Sequence, residues 1–228
     1  MFYYIVKYIF LWIPLRLIFR PWTKGKRNIP KTGGVIFAPN HTSFIDSIFL
    51  PLVVKRRITF LAKIDYWRGK GIKGLITKLF FSGVGQVPID RAGGSAAEAA
   101  LRTAIDILNK GEALGIYPEG TRSPDGRLYR GRTGVARMAL EAKVPVVPVA
   151  MIGTYEIQPS DQMVPKVGRV GIIFGKPLDF SKYYDDARNA ETLRKVTNEI
   201  MEAIRELSGQ EYVDIYASAA KEALKEKE

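Results

Sequence analysis

His41 is the only histidine among 228 residues, and it stands five positions before an aspartate, in the segment NHTSFID at residues 40–46. Imidazole is the side chain whose ordinary pKa lies nearest neutrality, so it is the first candidate for moving a proton. A carboxylate beside it fixes the tautomer and stabilises the imidazolium that forms during reaction. The spacing constrains how the two meet. Five residues along an ideal helix turn through about 500°, roughly 140° net, so on one regular helix the side chains diverge. They converge if His41 lies in the loop after a strand and Asp46 lies in the first turn of the next helix. The flanks read that way: GVIFAP at 34–39 has the pattern of a buried strand, and SFIDSIFLPLVV at 43–54 that of an apolar helix with Ser43 as N-cap. The plain alternative is a hydrogen-bonded cap at a helix start.

A second segment bears on the choice. YPEGTRS at 117–123 closes the short apolar run ALGIY at 113–117. Pro118 presets φ and Gly120 permits positive φ, so this is turn chemistry at a strand end. The turn carries Glu119 and Arg122. Guanidinium is a planar, permanently charged fork suited to phosphate oxygens. Glu119 does not attract phosphate. Its expected roles are to orient Arg122 or to accept a hydrogen bond from a substrate hydroxyl. An ordinary charged turn is the alternative here too. Arg127, Arg130 and Arg132 follow within the same loop, either as a wall for phosphate groups or as a solvated basic stretch.

Taken together, the His-x-x-x-x-Asp segment and the Pro-Glu-Gly-Thr-Arg segment resemble the glycerolipid acyltransferases. More narrowly, they are similar to the 1-acyl-glycerol-3-phosphate (lysophosphatidic acid) acyltransferases. Two weaker blocks fit the same family: GQVPIDR at 85–91, with Pro88 where a Phe is often found, and VPVVPV at 144–149. The four lie in family order across residues 40–149, and the remaining third or so of the chain carries no motif of that family. The resemblance implies transfer of a fatty acyl group from a thioester, acyl-CoA or acyl carrier protein, to the sn-2 hydroxyl of lysophosphatidic acid, giving phosphatidic acid. It implies His41 as general base and Asp46 as its orienting partner. It also implies that Arg91, Glu119, Gly120, Thr121 and Arg122 bind the phosphate or glycerol end of the acceptor. Related acceptors, such as glycerol-3-phosphate, another lysophospholipid or a glycolipid, remain open, because acceptor choice depends on pocket shape.

What the chain lacks agrees with that chemistry. There is no cysteine, so neither a cysteine acyl-enzyme nor a thiolate metal site exists, and one histidine makes no histidine-rich cluster. There is no G-x-S-x-G elbow for a serine nucleophile. Direct attack by the acceptor hydroxyl on an activated thioester, with His41 as base, needs only groups that are present, and no metal or other cofactor is expected. Lys and Arg exceed Asp and Glu to give a formal charge of +12, which points to an anionic partner. Zinc-finger, RNP and basic-zipper patterns are absent, so a nucleic-acid partner is not expected and an anionic phospholipid membrane is. A non-enzymatic membrane-binding module would be indifferent to His41, which separates it from the enzymatic readings.

The N-terminus favours the membrane. Residues 1–22, MFYYIVKYIFLWIPLRLIFRPW, are aromatic and apolar and lead into the basic KGKR at 24–27. A helix of that length is about 30 Å long, nominally a bilayer core. Lys7, Pro14, Arg16 and Arg20 interrupt it, so the expectation is an interfacial helix with Trp12, Arg16, Arg20 and Trp22 near the headgroups, on the cytoplasmic face of the cell membrane. A second basic amphipathic stretch, 66–81, places Ile72, Leu75, Ile76, Leu79 and Phe80 on one stripe, facing either a bilayer or the protein core.

The elements that position these segments alternate. Strands are expected at 34–39, 58–62, 84–89, 113–117, 145–151 and 169–174. Helices are expected at 44–54, 71–81, 95–109, 133–142 and 187–207, the third opened by a capping box Ser95-x-x-Glu98 and followed by Gly111. This order is that of a single α/β domain with a mixed, mainly parallel sheet flanked by helices, plus an N-terminal membrane-associating helix. The expected division is an anchor at 1–27, a catalytic domain at 28–210 and a polar C-terminal tail at 211–228 without chemistry. Both proposed functional loops then follow strands, where open α/β sheets bind ligands.

Overall fold

The computed structural model describes residues 7, 12–64, 68–83, 86–89 and 94–226. In chain order the elements are α1 (Ile13–Phe19), β1 (Trp22–Lys24), β2 (Val35–Pro39), α2 (Asp46–Val53), β3 (Ile58–Lys63), α3 (Gly71–Gly83), β4 (Gln86–Ile89), α4 (Gly94–Asn109), β5 (Ala113–Gly115), β6 (Leu128–Tyr129), α5 (Gly134–Glu141), β7 (Val146–Ile152), α6 (Thr154–Ile157), β8 (Gly171–Phe174), α7 (Ala190–Ser208), β9 (Tyr212–Val213) and α8 (Ala217–Lys225). Seven strands form one sheet in the order β1-β8-β7-β2-β5-β3-β4, and β6 pairs with β9 beside it. Every pairing in the main sheet is parallel except β7 with β8. The mixed, mainly parallel sheet expected from the alternation is therefore the one observed.

Strand alternation decides the layers. Ile36 and Ala38 of β2 face a core shared with Leu101, Ala104 and Leu108 of α4, Val135 and Ala139 of α5, and Val196, Ile200 and Ile204 of α7. Val35 and Phe37 face the other way, against Phe19, Phe49 and Leu50, with Val147, Val149 and Phe174. Both faces of β2 are thus covered, which is why GVIFAP reads as a continuous apolar run rather than an alternating one. Burying a side chain the size of Leu or Phe stabilises by about 1.5–3 kcal/mol, so this central strand is the most firmly held part of the sheet and a rigid mount for the loop after it.

The helix signals fared unevenly. Gly111, at φ 76°, follows α4 as its sequence position suggests. Ser95 lies in the first turn of α4, and Glu98 ties α4 to α5: its two carboxylate oxygens accept from Arg137 Nη1 and Nη2 at 2.9 and 3.1 Å. A bidentate arginine fork is a strong partner for a carboxylate. α7 starts at Ala190 rather than 187 because Asn189 caps it, accepting from Thr192 N at 3.0 Å.

Two expected boundaries move. Trp22 belongs to β1, paired with β8 in the main sheet, and Phe19 is buried against Phe49 at 5.4 Å between ring centroids. The folded core therefore begins before residue 28. Arg20, at φ 41°, ends α1 and turns the chain into β1. At the other end, part of the expected tail packs on the domain: β9 pairs with β6, and Ala217 and Ala220 of α8 are buried with Tyr129. No helix among the described residues is long and apolar enough to cross a membrane.

Candidate active site

The loop after β2 carries His41, and Asp46 opens α2, the arrangement the five-residue spacing requires. Asp46 is fully buried, and its Oδ2 accepts three N–H groups: His41 Nδ1 at 3.1 Å, Thr42 N at 2.9 Å and Ser43 N at 2.8 Å. Asp46 thus holds both the imidazole and the loop that carries it. This displaces Ser43 from the expected cap. The N-cap position is Ile45, without a side-chain cap, while Ser43 Oγ donates to Gln158 Oε1 at 3.2 Å. A carboxylate accepts only, so His41 carries its proton on Nδ1 and Nε2 is left as the basic nitrogen.

The imidazole is fixed on its face as well as its edge. Tyr117 stacks on it with centroids 3.6 Å apart and planes 16° from parallel, and Tyr117 Oη meets Ser47 Oγ at 2.8 Å. Only 15% of the His41 side chain is exposed. That burial, which disfavours the charged form, holds its pKa below 6.5, with Asp46 pulling upward and the charges of Arg122 and Lys221 pushing down. The ring is therefore neutral, and able to take a proton, at neutral pH.

Glu119 is not where the sequence suggested. It is buried, and both carboxylate oxygens are taken by main chain: His41 N donates to Oε1 at 2.8 Å and Tyr129 N to Oε2 at 3.0 Å. It makes no hydrogen bond to Arg122; it splices the His41 loop to the turn after β5 and to β6. Burial pushes its pKa up to about 8, against the opposing pull of those two N–H donors. Gly120 sits at φ 76°, and a Cβ there would come within 2.9 Å of the Arg132 side chain, so the turn requires glycine twice over. Ser123 N donates to His41 O at 2.7 Å, a further tie between the two loops.

The arginines separate sharply. Arg127 is paired with Asp125 at 2.7 Å and Glu211 at 3.3 Å. Arg130 lies 3.7 Å from Asp214, and the guanidinium carbons of Arg130 and Arg132 lie 5.6 and 5.0 Å from the centre of the Tyr216 ring. All three contact the C-terminal segment, through Glu211, Asp214 and Tyr216. Arg122 makes no hydrogen bond or ion pair among the described residues, yet its charge is felt at His41. Arg91 lies outside the described residues. Of the expected site residues, then, His41 and Asp46 meet, the charge of Arg122 reaches His41, Thr121 meets Lys221, Gly120 shapes the turn, and Glu119 holds the His41 loop through the His41 amide.

Sequence reading missed three contributors. Tyr117 was seen only as the end of an apolar run. Asn40, buried, donates to Met151 O and Gln210 Oε1 at 3.1 and 2.7 Å and accepts from Met151 N at 2.7 Å, pinning the His41 loop to β7. Lys221, from the segment expected to be an inert tail, donates from Nζ to Thr121 Oγ1 at 3.1 Å. Alternation of small and apolar residues on α8 was the available signal for the last.

The fold is an α/β domain with a buried aspartate–histidine pair at the end of its central strand, and the charge of an arginine without a hydrogen-bond or ion-pair partner among the described residues bears on that pair. The chain belongs to the Acyltransferase family, whose model matches residues 21–152. It is 30% identical to a 1-acyl-sn-glycerol-3-phosphate acyltransferase of Bacillus subtilis (strain 168) over 80% of this chain and 85% of that one. A chloroplastic 1-acyl-sn-glycerol-3-phosphate acyltransferase of Arabidopsis thaliana is 32% identical over 70% of this chain, which spans 44% of that longer protein. Among solved structures, the 1-acyl-sn-glycerophosphate (LPA) acyltransferase PlsC from Thermotoga maritima superposes with a TM-score of 0.63 at 30% identity, covering 82% of this chain and 70% of that one.

Proposed function

We propose that this acyltransferase moves a fatty acyl group from acyl-CoA or acyl carrier protein to the sn-2 hydroxyl of lysophosphatidic acid, forming phosphatidic acid. The observation that carries the reading is the 3.1 Å contact of His41 Nδ1 with buried Asp46, beside the uncommitted Arg122. His41 Nε2 takes the proton of the acceptor hydroxyl as its oxygen attacks the thioester carbonyl. The carbon–sulfur bond then breaks, and the proton on Nε2 passes to the departing thiolate. A positioned base contributes typically ~10²–10⁴-fold. Arg122, with Thr121 and the turn at Gly120, receives the acceptor's phosphate. The names of the relatives support lysophosphatidic acid over the other acceptors.

The same reading places the enzyme on the cytoplasmic face of an anionic membrane. Ile13, Leu17 and Ile18 of α1 are exposed beside Arg16 and Arg20, as are Ile72, Leu75 and Leu79 of α3 beside Lys70 and Lys78. Apolar residues flanked by cations suit a headgroup boundary. Replacing Leu17 and Ile18 by Glu is expected to weaken sedimentation with phosphatidylglycerol vesicles by about tenfold; unchanged sedimentation would take α1 out of the contact.

The test of the reaction is acyl transfer from labelled acyl-CoA, with acyl carrier protein thioester in parallel, to lysophosphatidic acid in micelles. Phosphatidic acid is the expected product. Transfer to glycerol-3-phosphate or a lysophospholipid instead would keep the chemistry and replace the acceptor.

A further inference from the structure

We propose that Lys221, on the C-terminal helix α8, is a further cation of the phosphate site and binds the acceptor's phosphate jointly with Arg122. The assignment to an acceptor phosphate rests on the acyl-transfer reading; the two-cation site itself rests on geometry. Lys221 Nζ reaches Thr121 Oγ1 at 3.1 Å, on the residue directly before Arg122, across 100 positions of sequence. Neither cation has a carboxylate partner among the described residues, whereas Arg127, Arg130 and Arg137 around them do. Glu119, the nearest acid, has both oxygens taken by backbone N–H groups. Two like charges held side by side in a half-buried place repel, and an anion between them relieves that cost.

The charge of Arg122 bears on Lys221. Burial lowers the Lys221 pKa, and the charge of Arg122 lowers it further, with Lys225 one turn on adding to the effect and Glu119 opposing it. Both cations also press down on the His41 pKa. A phosphate placed within reach of both therefore sits next to the base, where the acceptor hydroxyl must be.

The placement of Lys221 is built rather than incidental. Ala217, Ala220 and Lys221 share one face of α8 by helical spacing, and both alanines are buried with Tyr129, the residue whose amide also holds Glu119. Tyr216, just before the helix, accepts from Arg194 Nη2 at 3.1 Å and lies under Arg130 and Arg132. Arg132 Nη2 donates to Ser218 Oγ at 3.1 Å. Arg130 and Arg132 thus help to fix the start of α8, and α8 delivers a lysine back to their loop.

The experiment measures inorganic phosphate binding by titration calorimetry at fixed ionic strength, and KM and kcat with lysophosphatidic acid and acyl-CoA, for wild type, Lys221→Met and Lys221→Arg. Met keeps the aliphatic stem. Lys221→Met is expected to weaken phosphate binding and raise the acceptor KM by about tenfold or more, with kcat within about threefold and the acyl-CoA KM unchanged. Lys221→Arg is expected to restore most of both. Phosphate affinity and acceptor KM unchanged in Lys221→Met would overturn the proposal. A rise in the acyl-CoA KM alone would also overturn it, giving the cation to the donor's phosphates. Phosphate binding that depends on Lys221, in an enzyme that never acylates lysophosphatidic acid, would uphold the two-cation site and sink the acceptor reading instead. If Lys221→Met proves misfolded by circular dichroism, an intact Lys221→Arg that fails to bind phosphate overturns the proposal.

Discussion

The two halves of the site are built in opposite ways. The proton-transfer half, His41 with Asp46, is local: six consecutive residues fold back so that one carboxylate oxygen collects an imidazole and two amides. The anion half is assembled from afar, with Thr121 and Arg122 on the turn after β5 and Lys221 a hundred residues on. Glu119 joins them, taking one amide from each side. A local device tolerates change elsewhere in the chain; an assembled one depends on the packing that brings its pieces together. Perturbations should therefore separate into those that strike rate and those that strike affinity.

The sharpest separation is expected from Asp46→Asn. Losing the acceptor that fixes the tautomer should lower kcat by about 10²-fold or more, the scale of a positioned base, with acceptor KM little changed. The acid limb of the rate profile should also report the pair. In wild type it should fall below pH 6.5, because burial lowers the His41 pKa, and since Asp46 pulls that pKa upward, the limb should move further down in the variant. A KM effect without a kcat effect would erase the distinction between the halves.

Arg122→Ala is expected to do the reverse, raising the acceptor KM by about ten- to a hundredfold, as loss of a charge-assisted contact should, while kcat changes little. Steady-state kinetics with varied lysophosphatidic acid checks it, and an unchanged KM would leave the anion half without its first member.

The connecting residue should show itself in stability more than in catalysis. Glu119 binds its proton up to about pH 8 in the folded protein, against 4.5 ordinarily, so folding takes up a proton between those values. That contribution is present below about pH 4.5 and is lost as pH rises through about 8. Thermal unfolding across that window should show a decline that Glu119→Gln flattens. At pH 5, where Glu119 carries its proton and the amide is close to its isostere, the two proteins should differ little in stability. Equal pH slopes in the two proteins would remove Glu119 as the titrating link.

The same contrast explains what could be read from sequence. The sheet strands and the helices after them were legible because apolar runs and caps are local signals, and His41 with Asp46 was legible because five residues constrain geometry. β1 was not, since Trp22–Lys24 lies in a stretch whose aromatic and basic composition matches a membrane boundary equally well; its pairing with β8 is a long-range fact. The two backbone partners of Glu119 were not legible, because nothing in a turn sequence announces that two distant amides will claim its carboxylate. Lys221 was lost for the same reason, hidden in a polar helix whose buried alanines give only a weak stripe.

The most direct test of the account is the kcat of His41→Ala beside its fold and its substrate affinity. The expected result is turnover reduced by about 10²–10⁴-fold, with thermal unfolding and phosphate binding close to wild type. Substantial turnover in a folded His41→Ala variant would contradict the assignment of His41 as the base.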